Sequence, residues 1–450
     1  MVMDNRFENI YFLGIGGIGM SALARYFHHK GYKVSGYDKT PSPLTKKLEE
    51  EGIKIHYVDS PELIPDNISL VVMTPAIPSD CHELNYLRSK DVRIIKRAEV
   101  LGELSHHNKT LAVAGTHGKT TVTAILTHLL NHAKKHISAF VGGIANNINS
   151  NVIVGNENDD YVVMEADEFD RSFLYLAPYL SIVTSMDADH LDIYGDKSQL
   201  EDAFNQFVEK TSPDGVVIYN SKLNIQTTKK KISYGVDNAD YVAYDVEVID
   251  SMTRFFVRNN NGDEYGRFEM QLFGDHNVMN ALSAVVACLQ LGLDNDIIKE
   301  GLSTFKGVKR RFDIIYRDDN VCYIDDYAHH PQEIRATMQA VRTLFPERKL
   351  TLVFQPHLYS RTRDFMDEFA EVLSLTDTLL LMEIYPAREK PIQGIDSQSL
   401  LEKISCEDKR LCQKEELLKV LKDIKPELIV TMGAGDIDRF VPQIESMLKS

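Results

Sequence analysis

The segment Ala114-Gly115-Thr116-His117-Gly118-Lys119-Thr120-Thr121 follows the apolar run 111–113 and precedes a helical pattern beginning near Val122. A strand that turns through glycines into a helix gathers backbone N–H groups and the positive helix end at one point, and Lys119 adds a mobile cation there. That is phosphate chemistry. Thr120 puts a hydroxyl where the Mg²⁺ of a nucleoside triphosphate is held. The spacing departs from G-x-x-x-x-G-K-[ST], because Val113 stands where the first glycine should be.

A second glycine loop, Gly14-Ile15-Gly16-Gly17-Ile18-Gly19, carries the full G-x-G-x-x-G pattern, with Asp38 about 20 residues on. Alone it suggests a nicotinamide dinucleotide and hydride transfer. Such a turn binds any diphosphate, however, and the carboxylate after the next strand reads sugar hydroxyls or a base edge equally well.

Acidic and imidazole groups cluster at predicted strand ends. In Glu165-Ala166-Asp167-Glu168 the first carboxylate is the best candidate to face the P-loop and hold Mg²⁺, whereas Asp167, Glu168 and Asp170 read equally as a solvated charge run. His190, in Met186-Asp187-Ala188-Asp189-His190, reads as a structural histidine or as a metal ligand. Asn277 and Asn280 offer paired donors and acceptors that match an adenine edge, with Asp275 the expected cap of their helix. Lys309, Arg310 and Arg311 either reach a γ-phosphate on closure or form a solvated basic turn. Asp325-Asp326-Tyr327-Ala328-His329-His330 and Gln355-Pro356-His357-Leu358-Tyr359-Ser360-Arg361 bring carboxylate, imidazole and guanidinium groups to one sheet edge. Such convergence suits a ribose, a small amine and a carboxylate. No Cys-His or Ser-His pairing suggests a covalent protein nucleophile.

These groups need parallel strands to position them. Strands are expected at 9–13, 33–37, 70–73 and 92–94, with a helix through 20–28, forming a small α/β unit ending near Ser105. The P-loop strand opens a second α/β region with strands at 161–165 and 180–184, an antiparallel excursion within 221–266, and a helix at 277–291. A third α/β pattern has strands at 321–325, 350–354, 378–382 and 428–432. The length of 450 residues accommodates two or three domains. The net charge of −16 argues against nucleic acid or an anionic membrane as the main partner. Five cysteines without a C-x-x-C indicate neither a disulfide framework nor a zinc site and fit a reducing cytoplasm. No apolar run is long enough to span a bilayer, so neither export nor membrane insertion is expected.

In the order G-x-G-x-x-G, G-T-H-G-K-T-T, E-A-D-E, A-D-H-x-D, G-D-H-N, R-R-F-D, D-D-Y-A-H-H-P and Q-P-H, the chain resembles the Mur ligases over nearly its whole length. Within that family it is most similar to the alanine-adding branch. The resemblance implies a cytoplasmic α/β enzyme of three domains: a Rossmann-like UDP-binding domain over 1–106, a central P-loop ATPase domain over 107–311, and a Rossmann-like domain over 312–450 that closes over ATP and brings the amino acid. It implies ATP and Mg²⁺ as cofactors, UDP-N-acetylmuramate and L-alanine as substrates, and an amide bond formed through an acyl phosphate.

By the same resemblance, Gly14, Gly16, Gly17, Ile18, Gly19, Met20, Ser21 and Asp38 serve the UDP-sugar. Gly115, Thr116, His117, Gly118, Lys119, Thr120 and Thr121, with Asn277, Asn280, Arg311 and Asp326, serve ATP. Thr120, Glu165 and His190 hold the metal. Tyr327, His329, His357 and Arg361 line the alanine pocket, and Lys119, His190, Arg311 and His329 are the catalytic set, with His190 and His329 both open as acceptors of the amine proton. Leu358 stands where the alanine-adding branch often has arginine. The branch that joins a tripeptide to the same sugar acceptor is the nearest rival, and Tyr327 with Gln355-Pro356-His357 favours alanine over it.

Overall fold

Five strands of the first sheet alternate with helices, and all run parallel because each crossover helix returns the chain to the same edge. They are β1 (Asn9–Leu13), β2 (Lys33–Tyr37), β3 (Lys54–His56), β4 (Leu70–Met73) and β5 (Arg93–Lys96), in the order β3-β2-β1-β4-β5. The computed structural model describes residues 8–156, 158–187, 194, 196–387 and 389–449. The helix after β1 spans Ile18–His29, beginning two residues before the expected start at Met20.

The second sheet comprises β6 (Thr110–Ala114), β7 (Ile137–Ala145), β8 (Ser150–Ile153), β9 (Tyr161–Ala166), β10 (Leu180–Val183), β11 (Val216–Asn220), β12 (Lys231–Gly235), β13 (Tyr241–Ile249), β14 (Met252–Asn259) and β15 (Glu264–Met270). Their order is β15-β14-β13-β12-β11-β10-β6-β9-β7-β8. Every residue of β6 and β10 is buried, as the uninterrupted apolar runs of strands covered on both faces require. The expected antiparallel excursion starts later than the sequence suggested. Strand β12 pairs parallel with β11, and β13 parallel with β12, whereas β14 and β15 form an antiparallel pair. The reason lies in Ile232 to Gly235, buried on both faces as a parallel strand demands.

Strands β16 (Asp313–Arg317), β17 (Cys322–Asp326), β18 (Leu350–Phe354), β19 (Thr378–Leu381), β20 (Asp408–Leu411) and β21 (Leu428–Met432) build the third sheet, ordered β16-β17-β21-β18-β19-β20. Only β16 runs antiparallel to its neighbour.

The chain divides into two compact units, one of Met1–Glu247, Thr253–Gln271 and Asn277–Lys306, the other of Val248–Met252, Leu272–His276 and Gly307–Ser450. In the first unit the first two sheets share a core, with the Tyr26 and Phe140 rings 5.3 Å apart. Buried Arg25 ties the same seam, donating to Glu51 at 2.7 Å and to Asn151 at 2.8 Å. In the second unit Phe354 and Phe369 belong to one side of the third sheet's core, and Tyr323 with Leu380 to the other. No helix among the described residues is long and apolar enough to cross a membrane.

Candidate functional site

The P-loop turns on two glycines. Gly115 and Gly118 have φ of +135° and +82°, and a Cβ on Gly118 would lie 2.5 Å from Asn280 Oδ1. That contact places Asn280 against the loop, and its Nδ2 donates to Asn277 Oδ1 at 3.2 Å. Both asparagines are buried on the helix Asp275–Gln290, whose first residue is Asp275. Asp275 therefore adds negative charge to the first turn instead of preceding the helix as its cap. The Thr116 and His117 N–H groups donate to Ser185, so the loop is fastened to the end of β10. The helix Lys119–His132 starts next, and its first-turn N–H groups have no intrahelical acceptors.

Lys119 is held within this loop. Its Nζ donates to the Gly115 carbonyl at 2.6 Å and to both carboxylate oxygens of Glu168, at 2.8 and 3.0 Å. Burial opposes the ammonium charge, but Glu168, assisted by Asp167 and Glu165, overrides it and raises the lysine pKa. Glu168, at 1 % exposure, is thus no solvated charge. Asp167 and Asp170 are likewise paired, with Arg97 at 3.2 Å and Lys96 at 2.9 Å. The Glu165 carboxylate accepts from Gly142 N at 2.7 Å, and burial pushes its pKa up against the pull of Gly142, Lys119 and the Thr120 hydroxyl. Thr120 and Glu165 therefore meet beside the phosphate loop. His190 lies outside the described residues.

At the first glycine loop, Gly14 has φ +82°, and the Gly14 and Ile15 N–H groups donate to the Tyr37 carbonyl. Asp38 accepts from Gly16 N at 2.8 Å, so it closes the loop itself. A Cβ on Gly16 would meet that carboxylate at 2.8 Å. Gly17 and Ile18 lead into the helix, where Met20 and Ser21 turn into the core. Ser21, expected among the UDP-sugar contacts, faces the core: its hydroxyl donates to Ile18 O and accepts from Asn151, and its N–H donates to Gly17 O.

In the second unit, Asp326 ends β17 and Gln355 follows β18, with β21 between the two strands. Asp326 accepts from Phe312 N at 2.6 Å and Ala328 N at 2.7 Å, and burial pushes its pKa up to about 6 against Arg311 and those amides. Its carboxylate thus organises the backbone around the site, a duty the sequence did not disclose. Arg310 pairs with Asp325 at 3.1 Å, while Arg311 lies over the Tyr327 ring, 5.0 Å from its centroid. Arg310 and Phe312 have φ of +63° and +50°, so this basic segment is a constrained turn, with Lys309 exposed and Arg310 and Arg311 partly buried.

Tyr327, His329, His357 and Arg361 converge. The Tyr327 and His329 rings are 5.2 Å apart, those of His329 and His357 5.9 Å, and Arg361 Nη1 lies 3.3 Å from His357 Nδ1. Hydrogen-bond chemistry assigns the tautomers. His329 Nδ1 lies 3.0 Å from the Tyr327 carbonyl, which can only accept, so Nδ1 carries the proton and Nε2 the lone pair. Arg361 can only donate, so His357 Nδ1 is the acceptor and Nε2 keeps its hydrogen. One imidazole offers a base and the other a donor.

Burial lowers the pKa of both histidines. For His329, Glu333 opposes this and Arg361 reinforces it; for His357, His329 and Arg361 add to burial, Glu389 opposes, and the result is about 4. Between pH 6.5 and 4 the unfolded chain protonates this histidine while the folded one does not, so stability falls as pH falls. His357→Gln is expected to flatten that limb of a urea-unfolding series measured across this range.

Three residues of this region escaped the sequence reading. Glu333 accepts from the His329 N–H at 3.1 Å, Glu389 accepts from Ser360 N at 2.9 Å, and Tyr385 stacks on His357 with centroids 5.8 Å apart and planes 14° apart. A Cβ on Gly435 would lie 2.7 Å from Tyr385, so that glycine makes room for the ring. The position of Tyr385 beyond the end of β19, the neighbour of β18, was the available signal. Leu358 has φ +70°, and its N–H donates to the Tyr385 carbonyl at 2.9 Å. This strained turn joins His357 to the short helix that carries Arg361.

Comparison with known proteins gives matches along almost the entire chain. Residues 9–109 match the family model described as Mur ligase family, catalytic domain; residues 113–288 match the Mur ligase middle domain; residues 310–435 match the Mur ligase, glutamate ligase domain. The UDP-N-acetylmuramate--L-alanine ligase of Flavobacterium johnsoniae is 48% identical, over 99% of this chain and 98% of its own. The protein of that name from Cytophaga hutchinsonii is 46% identical, over 97% of this chain and 96% of its own. The crystal structure of UDP-N-acetylmuramate-alanine ligase MurC from Thermotoga maritima aligns with a TM-score of 0.86 at 30% identity, covering 98% of this chain and 99% of that one.

Proposed function

The chain belongs to the Mur ligase family, and from that premise we propose how its residues divide the work of an ATP-dependent ligase. The reaction joins the carboxylate of UDP-N-acetylmuramate to L-alanine in peptidoglycan synthesis. On this reading the enzyme works in the cytoplasm, and its three domains divide at 106/107 and 311/312.

A carboxylate is a poor electrophile, because its leaving group would be oxide. One of its oxygens therefore attacks the γ-phosphorus of ATP, ADP leaves, and an acyl phosphate results. The amine nitrogen then attacks the acyl carbon, and phosphate departs with the C–O bonding pair. Catalysis of the first step is largely positional and electrostatic. The first-turn N–H groups of Lys119–Thr121 and the Lys119 ammonium serve the phosphates. Asn277 and Asn280, beside the loop, serve the adenine, with Asp326 as the ribose contact and Arg311 as a phosphate contact. The glycine loop through Gly19 takes the UDP diphosphate.

Mg²⁺ fits the residues present. Among the described residues no group of three or more His, Cys, Asp or Glu could cage a metal. Mg²⁺ does not need such a cage, since it binds through one or two carboxylates together with substrate phosphates. The partly buried Glu165 carboxylate beside the Thr120 hydroxyl supplies that half-site, with His190 as a further ligand. When bound, the ion neutralises phosphate charge.

The observation that carries the amino-acid half of the reading is the complementary pair of histidines. His329 Nε2 is a neutral base that accepts the amine proton, while His357 Nε2–H and Arg361 are donors for the α-carboxylate. Of the two histidines proposed for proton removal, His329 has this defined tautomer.

With ATP, Mg²⁺ and UDP-N-acetylmuramate, phosphate release is expected to depend on added L-alanine. Equal release with a tripeptide amine, or none with L-alanine, would overturn the assignment.

A further inference from the structure

At the start of the helix Ile18–His29 the one carboxylate described above, Asp38, is engaged by the Gly16 N–H. The helix's first turn contains no acidic residue, and its N-cap Gly17 makes no side-chain capping bond. Against this end the fold sets a cation. The Arg97 guanidinium lies on Gly19, the last glycine of the loop: a Cβ there would be 2.1 Å from Arg97 Nη1, 3.1 Å from Cζ and 3.2 Å from Cδ. Gly19 has ordinary helical geometry, so a side chain there would meet not a backbone constraint but the Arg97 guanidinium, which would have to move. A cation beside a helix N-terminus is repelled by the dipole unless an anion joins them.

Arg97 reaches this place as the first residue of the helix Arg97–His106, directly after β5. On its other side its Nη2 meets Asp167 Oδ2 at 3.2 Å, beyond the end of β9. Asp167 is itself oriented by the Phe169 N–H at 3.1 Å. The neighbouring Lys96–Asp170 pair, at 2.9 Å, fixes the same seam between the first two sheets. Arg97 and Asp167 keep 27% and 39% of their side-chain surface, so the pair is open to solvent and to ligand.

We propose that Arg97 binds the diphosphate of the sugar nucleotide at the Gly14–Gly19 loop, and that Asp167 is the counter-ion the guanidinium gives up when that anion arrives. The proposal rests on the reading of this loop as the UDP site. A diphosphate presents adjacent oxygens that a guanidinium fork grips in pairs, which a lysine ammonium cannot do. The first-turn N–H groups of the helix, from Ile18 to Met20, face the anion from one side and Arg97 from another, so the contact adds geometry as well as charge.

Isothermal titration with UDP alone tests this, since UDP has the diphosphate but no lactyl carboxylate. R97A is expected to weaken UDP binding at least tenfold, R97K to fall between, and ADP affinity to stay within twofold of the parent. D167N breaks the same ion pair but leaves the cation, so its UDP affinity should equal or exceed the parent's. Unchanged UDP affinity in R97A overturns the proposal. So does an equal loss in D167N, or a parallel loss of ADP affinity, since either makes the effect structural. If the parent chain itself fails to bind UDP, the reading of the loop falls and the proposal with it.

Discussion

Replacing Lys119 by alanine is expected to lower kcat by about 10³-fold or more, the scale set by removing a preorganised charge from a developing phosphoryl transition state. The substitution also takes the lysine from Glu168, which is 1% exposed and has both carboxylate oxygens on that ammonium. Breaking a buried pair from one side costs about 3–5 kcal/mol of stability, so lost activity in K119A could come from lost fold. The double variant K119A/E168Q separates the two. A neutral amide at position 168 removes the buried negative charge that had faced the lysine, so the melting temperature should recover part of its loss while the rate stays low. If the double variant recovers both stability and turnover, Lys119 is structural and its assignment to the phosphates is wrong.

Arg361→Ala is expected to raise KM for L-alanine by about 10²-fold, with a smaller change in kcat at saturating amine. The reason is a charge awaiting its counter-ion. Among the described residues no carboxylate pairs with Arg361, and its hydrogen-bond partner is the neutral His357 at 3.3 Å. A half-buried guanidinium so placed is suited to an incoming α-carboxylate. Losing it should weaken every amino-acid substrate alike, because the contact reads the carboxylate and not the methyl group. Initial rates of phosphate release against L-alanine concentration measure this directly. An unchanged KM would remove Arg361 from the amino-acid pocket, and a loss confined to kcat would mean that it acts on the transition state alone.

Much of this architecture was legible because its signals are local. The strand Thr110–Ala114, its glycine turn and the helix after it occupy consecutive residues, so periodicity and turn chemistry identify them without knowing any neighbour. The same holds for β1 with Gly14–Gly19, and for the strand ends that carry Asp326 and His357. The β12 segment was less legible, since parallel and antiparallel strands differ in what covers them, and that is not written within the strand itself.

The sequence by itself determined the order of the loops, the strand-glycine-helix setting of Lys119, and the residue types gathered at one sheet edge. Only the tertiary structure decided which charges are partners. Glu168, read as a coin-toss between solvent and function, became the counter-charge of a lysine 49 residues away. Ser21 turned from the loop into the core, and Arg97 arrived on Gly19 from a different strand. The tautomers of His329 and His357 likewise depend on a carbonyl and a guanidinium brought to them by folding. Local backbone preference acts over a few residues, whereas electrostatic pairing and burial act through space between residues distant in the chain.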